Sequence, residues 1–234
     1  VAVEMRETAG QDPFLEKRRR LVEQLVAEGV VKTERVKEAM LRVPRHEFVW
    51  PNQLEYAYAD TPLPLGDTGQ TISAPHMVAI MNELLEVQVG DRILEVGTGS
   101  GYHAATLAVL TCPSLDSPSP LVYTIEINSS LAKFAESNFT RLGFSRVIKV
   151  VEGDGSKGYP EASPYDRILV TAAAPKIPPP LIEQLKPGGR MVIPVQSRFF
   201  EQNLILVEKD VDGRVRKNNA GPVVFVPLRG DYGF

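Results

Sequence analysis

Ile93-Leu94-Glu95-Val96-Gly97-Thr98-Gly99-Ser100-Gly101 is the stretch that decides the architecture. An apolar run of strand length breaks into glycines at every second position, and a helical pattern opens at Tyr102. Glycines at a strand-to-helix turn let the backbone reverse sharply and let a ligand lie against the chain where a Cβ would collide. A dinucleotide fingerprint needs G-x-G-x-x-G, whereas this loop is G-x-G-x-G with Tyr102 in the place of the third spaced glycine. The spacing turns the reading away from a nicotinamide cofactor.

Downstream of the loop, strand-like and helical patterns alternate. Residues 121–127 read as a strand, 131–142 as a helix closed by Gly143, and 147–151 and 168–171 as further strands. A short helix at 181–185 and a strand at 191–195 follow. This alternation calls for right-handed βαβ units and a parallel sheet covered on both faces. The runs 204–207 and 223–228 flank Asp212-Gly213 without a helical pattern, so they read as two closing strands with an antiparallel connection.

Upstream, Asp12 as N-cap and Pro13 at the first helical position open a helix with Leu21, Val22, Leu25 and Val26 on one face, stopped by Gly29. Thr33 caps a second helix whose Val36, Ala39, Met40 and Val43 run to Pro44. Residues 45–70, rich in proline, glycine and aromatics, read as irregular structure carrying function more than core. A third helix starts at Ala74 and buries Val78, Met81, Leu84 and Leu85 before the turn at Gly90-Asp91. The expected fold is α/β: a doubly wound, mostly parallel seven-stranded sheet with N-terminal helices and an antiparallel C-terminal strand pair. A single domain over 1–234 is expected, with an active-site segment at 1–90, a cofactor-binding core at 91–195 and substrate-side strands at 196–234.

Composition narrows the function classes. The 234 residues are 43% hydrophobic and 24% charged with a net charge of −3, which is not the basic excess of a chain that coats nucleic acid. No apolar run approaches the ~20 residues of a membrane-spanning helix, and no secretory signal pattern opens the chain, so a cytoplasmic protein is expected. Cys112 is the only cysteine, excluding an intrachain disulfide and a multi-cysteine zinc site. His46, His76 and His103 lack metal-ligand spacing, and no metal is expected.

Two carboxylates complete the candidate cofactor site. Glu126 ends the second strand of the βα core, where it can accept hydrogen bonds from both ribose hydroxyls of a nucleoside. It falls later after the glycine loop than the usual ~20 residues, an excess that the PSLDSPSP loop at 113–120 accounts for. Asp154, in Gly153-Asp154-Gly155 after the third strand, can accept from an adenine amino group. Each residue has a plainer reading: a tight turn for the glycines, a solvated strand end for Glu126 and a turn residue for Asp154. Together they favour a nucleoside in the crevice at the carboxyl ends of the strands.

The chain resembles the protein-L-isoaspartate (D-aspartate) O-methyltransferase family. The resemblance is carried by QTISAPHM at 70–77, LEVGTGSGY at 94–102, GDG at 153–155, PYDRILVTAAAP at 164–175, LKPGGRMVIPV at 185–195 and FVPL at 225–228. It implies a class I, Rossmann-like methyltransferase that uses S-adenosylmethionine to esterify the free carboxylate of L-isoaspartyl and D-aspartyl residues in damaged proteins and peptides. S-adenosylhomocysteine would be left as product, and the ester would collapse to a succinimide. The resemblance further implies Thr71, Ile72 and Glu95 beside the cofactor, with Gly97, Thr98, Gly99 and Gly101 of the loop, then Glu126 and Ile127, then Asp154 and Gly155. It places substrate near Asp60 and along Val226, Pro227 and Leu228. The expected partners are isoaspartyl proteins and peptides, not nucleic acid or membrane, and a monomer is expected.

The implied chemistry asks little of the side chains. An isoaspartyl carboxylate with a pKa of ~4 is anionic at neutral pH and needs no strong general base. Catalysis then rests on holding oxygen, methyl carbon and sulfur in line in a water-poor cleft. Ser73 matches the serine of the family's TISAPHM segment and is the expected catalytic hydroxyl, orienting one carboxylate oxygen without acting as a nucleophile. A serine just before Ala74-Pro75 is also a natural N-cap. From the residues alone Asp60 reads rather as a turn residue before a proline and His76 rather as a hydrogen-bonded structural group, while 226–228 reads equally as an edge strand ended by proline.

Overall fold

The computed structural model describes residues 13–197 and 201–234. Strand β3 (Ile93–Val96) is buried at all four positions, as a strand covered on both faces must be. It alternates between two cores. Ile93 joins Leu21, Phe48, Met81, Leu107 and Phe139 on one face, and Leu94 and Val96 join Tyr165, Ile168, Leu181 and Met191 on the other. Each such side chain contributes about 1.5–3 kcal/mol on full burial. Helix α4 (Tyr102–Thr111), buried along its whole length, leads to β4 (Val122–Glu126). Helix α5 (Ser129–Leu142) is capped by the Asn128 side chain, which accepts from the N–H groups of Ser130 and Leu131. It ends at Gly143, whose φ of 80° is the left-handed C-terminal conformation.

The chain continues through β5 (Ile148–Glu152), β6 (Tyr165–Val170), α6 (Pro179–Gln184), β7 (Leu185–Gln196), β8 (Gln202–Lys209) and β9 (Val215–Val223). The sheet order is β5-β4-β3-β6-β7-β8-β9. The first five strands are mutually parallel, and β8 runs antiparallel to both β7 and β9. This is the expected seven-stranded, doubly wound sheet. Chain order reverses between β3 and β6, where Val96 pairs with Ile125 on one side and Val170 on the other. Open α/β sheets bind ligands at the carboxyl ends of strands flanking such a switch point.

The N-terminal layer comprises α1 (Leu15–Ala27), α2 (Glu34–Arg42) and α3 (Pro75–Leu85), with a small hairpin of β1 (Leu63–Pro64) and β2 (Thr71–Ile72) beside α3. Thr33 caps α2 as expected, accepting from Val36 N–H. Asp12 lies outside the described residues. Pro13 sits in the turn ahead of α1, which starts at Leu15 with Phe14 at its N-cap. Val26 was expected on the buried face but is 40% exposed. At about 100° per residue, the buried arc is completed instead by Arg18, which stands between Leu21 and Val22 in projection and is buried.

Two larger corrections concern segments without a clear period. Residues 45–70 contribute substantially to the core: Phe48, Ala57 and Leu65 are fully buried. The Arg45 guanidinium is buried with them, donating from Nε to Ala57 O at 2.9 Å and lying 4.9 Å from the centre of the Tyr102 ring. The last strand is Val215–Val223, not 223–228. As the outer strand of the sheet it has a largely exposed, polar sequence with no apolar alternation to mark it. The apolar 223–228 segment instead leaves the sheet and crosses the switch point. Among the described residues no helix is long and apolar enough to cross a membrane.

Candidate active site

The glycine loop is shaped first by packing. Gly97 has φ +97°, and a Cβ there would stand 2.3 Å from Thr171 Oγ1. That hydroxyl donates to Gly97 O at 2.7 Å, tying the ends of β3 and β6 together. Gly101 has φ +92°, and its Cβ would stand 2.5 Å from the Phe139 ring. Gly99 N–H points along the loop and donates to Glu126 Oε2 at 2.9 Å.

Glu126 is only 2% exposed at the end of β4. Its other oxygen accepts from Asn128 N–H at 2.9 Å, so two backbone donors fix the carboxylate while each oxygen keeps lone-pair capacity. Glu126 lines a cavity of about 370 Å³ with Val96, Gly97, Ile125, Ile127 and Gly155. Residues 226–229 form its opposite wall. They are held there by Ala173 N–H donating to Val226 O and Leu228 N–H donating to Ala173 O, both at 2.8 Å.

A narrower chamber of about 50 Å³ continues past Gly97. Thr71, Ile72 and Ser73 wall one side, and Thr98, Gly99, Ser100, Tyr102 and His103 the other. Beyond it opens a cleft of about 640 Å³ between Pro62, Ala74, His76 and Met77 and the 222–226 segment. Thr71, Ser73 and Thr171 line both chamber and cleft, and Val226 lines all three spaces. Ser73 therefore stands, with Thr71 and Thr171, where the chamber meets the cleft.

Ser73 does not cap α3. Ala74 holds the N-cap position with no side-chain cap, and Asp60 performs that task from a distant loop. Asp60 Oδ1 accepts from His76 N–H at 2.8 Å, and both carboxylate oxygens lie 3.0 Å from His76 Nδ1. Asp60 thus reaches the cleft through His76, which lines it.

Several expected residues do not line the space in which they were expected. Glu95 is fully buried beneath the loop and accepts from the Thr124 hydroxyl, which is itself 2.6 Å from Thr98 Oγ1. Burial pushes its carboxyl up to about 8, against the Thr124 hydrogen bond and with a further push from Glu126. Asp154 faces the C-terminal segment. Its Oδ1 accepts from Ser156 N–H and O–H at 2.9 and 2.6 Å, and its Oδ2 from Asp231 N–H at 2.9 Å. Burial alone would raise this carboxyl, but these donors, with Lys157 nearby, hold it below the ordinary range. Pro227 and Leu228, expected on the substrate side, line the cavity of Glu126, and only Val226 of that trio reaches the cleft.

Sequence reasoning missed Thr171, Gln70, Ser100 and His103 as lining residues. Thr171 was findable, because it follows β6 at the switch point; the inward face of α4 gives no such signal. Among the described residues no three His, Cys, Asp or Glu come together in a way that could hold a metal ion.

A family model described as Protein-L-isoaspartate(D-aspartate) O-methyltransferase (PCMT) matches residues 16–233. A protein of Hyperthermus butylicus named protein-L-isoaspartate O-methyltransferase is 55% identical over 97% of this chain and 94% of its own length. An Archaeoglobus fulgidus protein named protein-L-isoaspartate O-methyltransferase 2 is 56% identical over 94% of this chain and 95% of its own. A solved structure from Plasmodium falciparum, a putative protein-L-isoaspartate O-methyltransferase in complex with S-adenosyl-L-homocysteine, superposes with a TM-score of 0.81 at 28% identity. It covers 91% of this chain and 98% of that one. A seven-stranded sheet with its crevice at the β3–β6 switch point, matched by relatives over almost its whole length, places this chain in the protein-L-isoaspartate (D-aspartate) O-methyltransferase family.

Proposed function

We propose that this chain performs its family's reaction, methyl esterification by S-adenosylmethionine of the free carboxylate of L-isoaspartyl and D-aspartyl residues in damaged proteins, with Ser73 orienting the accepting carboxylate. The observation that carries the reading is the position of Ser73 on both the small chamber and the wider cleft. The site also suits the cofactor. The Glu126 carboxylate, fixed by two backbone N–H groups, retains acceptor capacity for ribose hydroxyls. When bound, S-adenosylmethionine supplies an electrophilic methyl group on a sulfonium sulfur.

In this reading Glu126, Ile127 and Gly155 hold the nucleoside, and Thr71 and Ile72 close over the chamber. Ser73 O–H donates to one carboxylate oxygen and leaves the other to attack. The carboxylate is already anionic, so no side chain need remove a proton, and orientation in a closed passage supplies the acceleration. S-adenosylhomocysteine is released, the ester leaves the enzyme, and a backbone amide nitrogen of the peptide then displaces methanol from it to close a succinimide without further catalysis. The described residues of 1–90 contribute the cleft wall, 91–195 the cofactor core and 196–234 the 222–229 segment that borders both. The same reading takes the chain to be a cytoplasmic monomer acting on peptides and proteins, and its net charge of −3 argues against nucleic acid as substrate.

The test uses two synthetic peptides that differ only in an aspartyl or isoaspartyl linkage, with methyl-labelled cofactor. Base-labile label in the isoaspartyl peptide alone is expected. Equal label in both peptides, or none, contradicts the proposal.

A further inference from the structure

We propose that Asp60 and His76 form a substrate-binding pair, in which Asp60 orients the imidazole and His76 Nε2 accepts a hydrogen bond from a backbone N–H beside the isoaspartyl residue of the bound peptide. This rests on the function proposed above and extends its substrate contacts beyond Ser73.

The pair does more than a helix cap requires. His76 follows Pro75 in the first turn of α3, so its backbone N–H is one of the donors that the helix leaves unpaired. One carboxylate oxygen suffices to meet it, and Asp60 Oδ1 does so at 2.8 Å. Yet Oδ1 and Oδ2 each also stand 3.0 Å from His76 Nδ1. Main chain and ring are thus held by the same group. The His76 side chain is 39% exposed and that of Asp60 24%. Of the two, it is His76 that lines the cleft of about 640 Å³.

The contact with Asp60 settles the chemistry of the ring. A carboxylate only accepts, so Nδ1 carries the proton. Nε2 of the neutral ring is then a bare lone pair, and it makes no hydrogen bond among the described residues. Its partner must be a donor, which excludes the reacting carboxylate.

The cleft indicates which donor that is. Pro62, Ala74, Met77, Val223 and Phe225 give it an apolar wall, and the Thr171 hydroxyl is committed to Gly97 O at 2.7 Å. Among the described residues that line the cleft, His76 alone has an ionisable side chain. A peptide brings backbone N–H groups into this space whatever its sequence, and each one removed from water needs an acceptor. Ser73 and His76 stand on either side of the start of α3. A peptide whose carboxylate meets Ser73 therefore brings its neighbouring N–H groups to His76.

Steady-state kinetics of the full chain test this, with the isoaspartyl peptide and with two depsipeptides in which the N–H on either side of the isoaspartyl residue is replaced in turn by an ester oxygen. The variants are His76→Asn, whose amide N–H still meets Asp60 but ends short of the Nε2 position, and Asp60→Asn. The latter keeps the oxygen that caps α3 but turns an N–H towards Nδ1, which moves the ring proton to Nε2 and puts a donor where the acceptor stood. Loss of one neutral hydrogen bond should raise KM about three- to tenfold, with kcat and S-adenosylhomocysteine affinity unchanged. We expect that loss for wild type with one depsipeptide and for both variants with the ordinary peptide. In the variants the same depsipeptide should bind no worse than the ordinary peptide, the mark of coupled partners. Should His76→Asn fail to fold, Asp60→Asn decides by the same criteria. The proposal is overturned if wild type treats all three peptides alike, or if variant and ester substitution raise KM by factors that simply multiply. Wild-type protein that methylates none of the peptides would overturn the function reading itself.

Discussion

Asp60 Oδ1 lies 2.8 Å from the backbone nitrogen of His76 and accepts its hydrogen bond, capping helix α3 from 16 residues upstream. This bond relieves Ser73 of the capping role that its position suggests, and Ser73 makes no hydrogen bond among the described residues. The two substitutions should therefore separate. Asp60→Ala should cost about 1 kcal/mol of stability, the usual worth of a cap. Ser73→Ala should stay within about 0.5 kcal/mol of wild type. Denaturant titration of both variants checks this, and the reverse ranking would return Ser73 to a structural role.

Glu126 holds the glycine loop and lines the cavity of about 370 Å³ at the same time. In Glu126→Gln the side-chain NH₂ is brought against Gly99 N–H or Asn128 N–H, setting donor against donor. We expect S-adenosylhomocysteine to bind at least about tenfold more weakly, measured by calorimetry. Unchanged affinity would remove Glu126 from the cofactor site.

Gly101 was expected to face the cofactor, but its missing Cβ makes room for Phe139. Gly101→Ala should lower stability by about 1–3 kcal/mol through overpacking and its positive φ. Once folded, the variant should bind S-adenosylhomocysteine nearly as wild type does. A stable variant with lost affinity would restore the ligand-side role.

The pH dependence of stability carries the signature of Glu95. Its folded pKa of about 8, set by burial, lies above the ordinary 4.5. The folded state therefore retains a proton that the unfolded state releases. The contribution to stability is full below pH 4.5 and is lost as pH rises through about 8. Glu95→Gln should gain on wild type across that window, by a few kcal/mol at most. A stability difference that stays flat with pH would show that Glu95 is ionised in the fold.

What the sequence revealed was local. The glycine loop, the Thr33 cap and the βα alternation are written within a few residues of each other, and the sheet followed from them. Residues whose roles come from partners distant in sequence were hidden. Asp60 reads as a turn residue until α3 is placed beside it, and His103 is a polar residue in a largely apolar helix until Asn82 is placed 3.0 Å from its Nε2. Strand β9 escaped because its exposed residues carry no alternation, while the apolar 223–228 segment owed its composition to lining the site and not to pairing in the sheet.

The central claim is that Ser73, at the passage between chamber and cleft, acts on the accepting carboxylate and not on the fold or the cofactor. Its most direct test is kcat/KM for an isoaspartyl peptide in Ser73→Ala, with S-adenosylhomocysteine affinity measured on the same preparation. We expect a fall of about tenfold or more, the worth of a hydrogen bond to a charged group, with cofactor affinity unchanged. Near-wild-type kcat/KM in a protein that binds S-adenosylhomocysteine normally would contradict it.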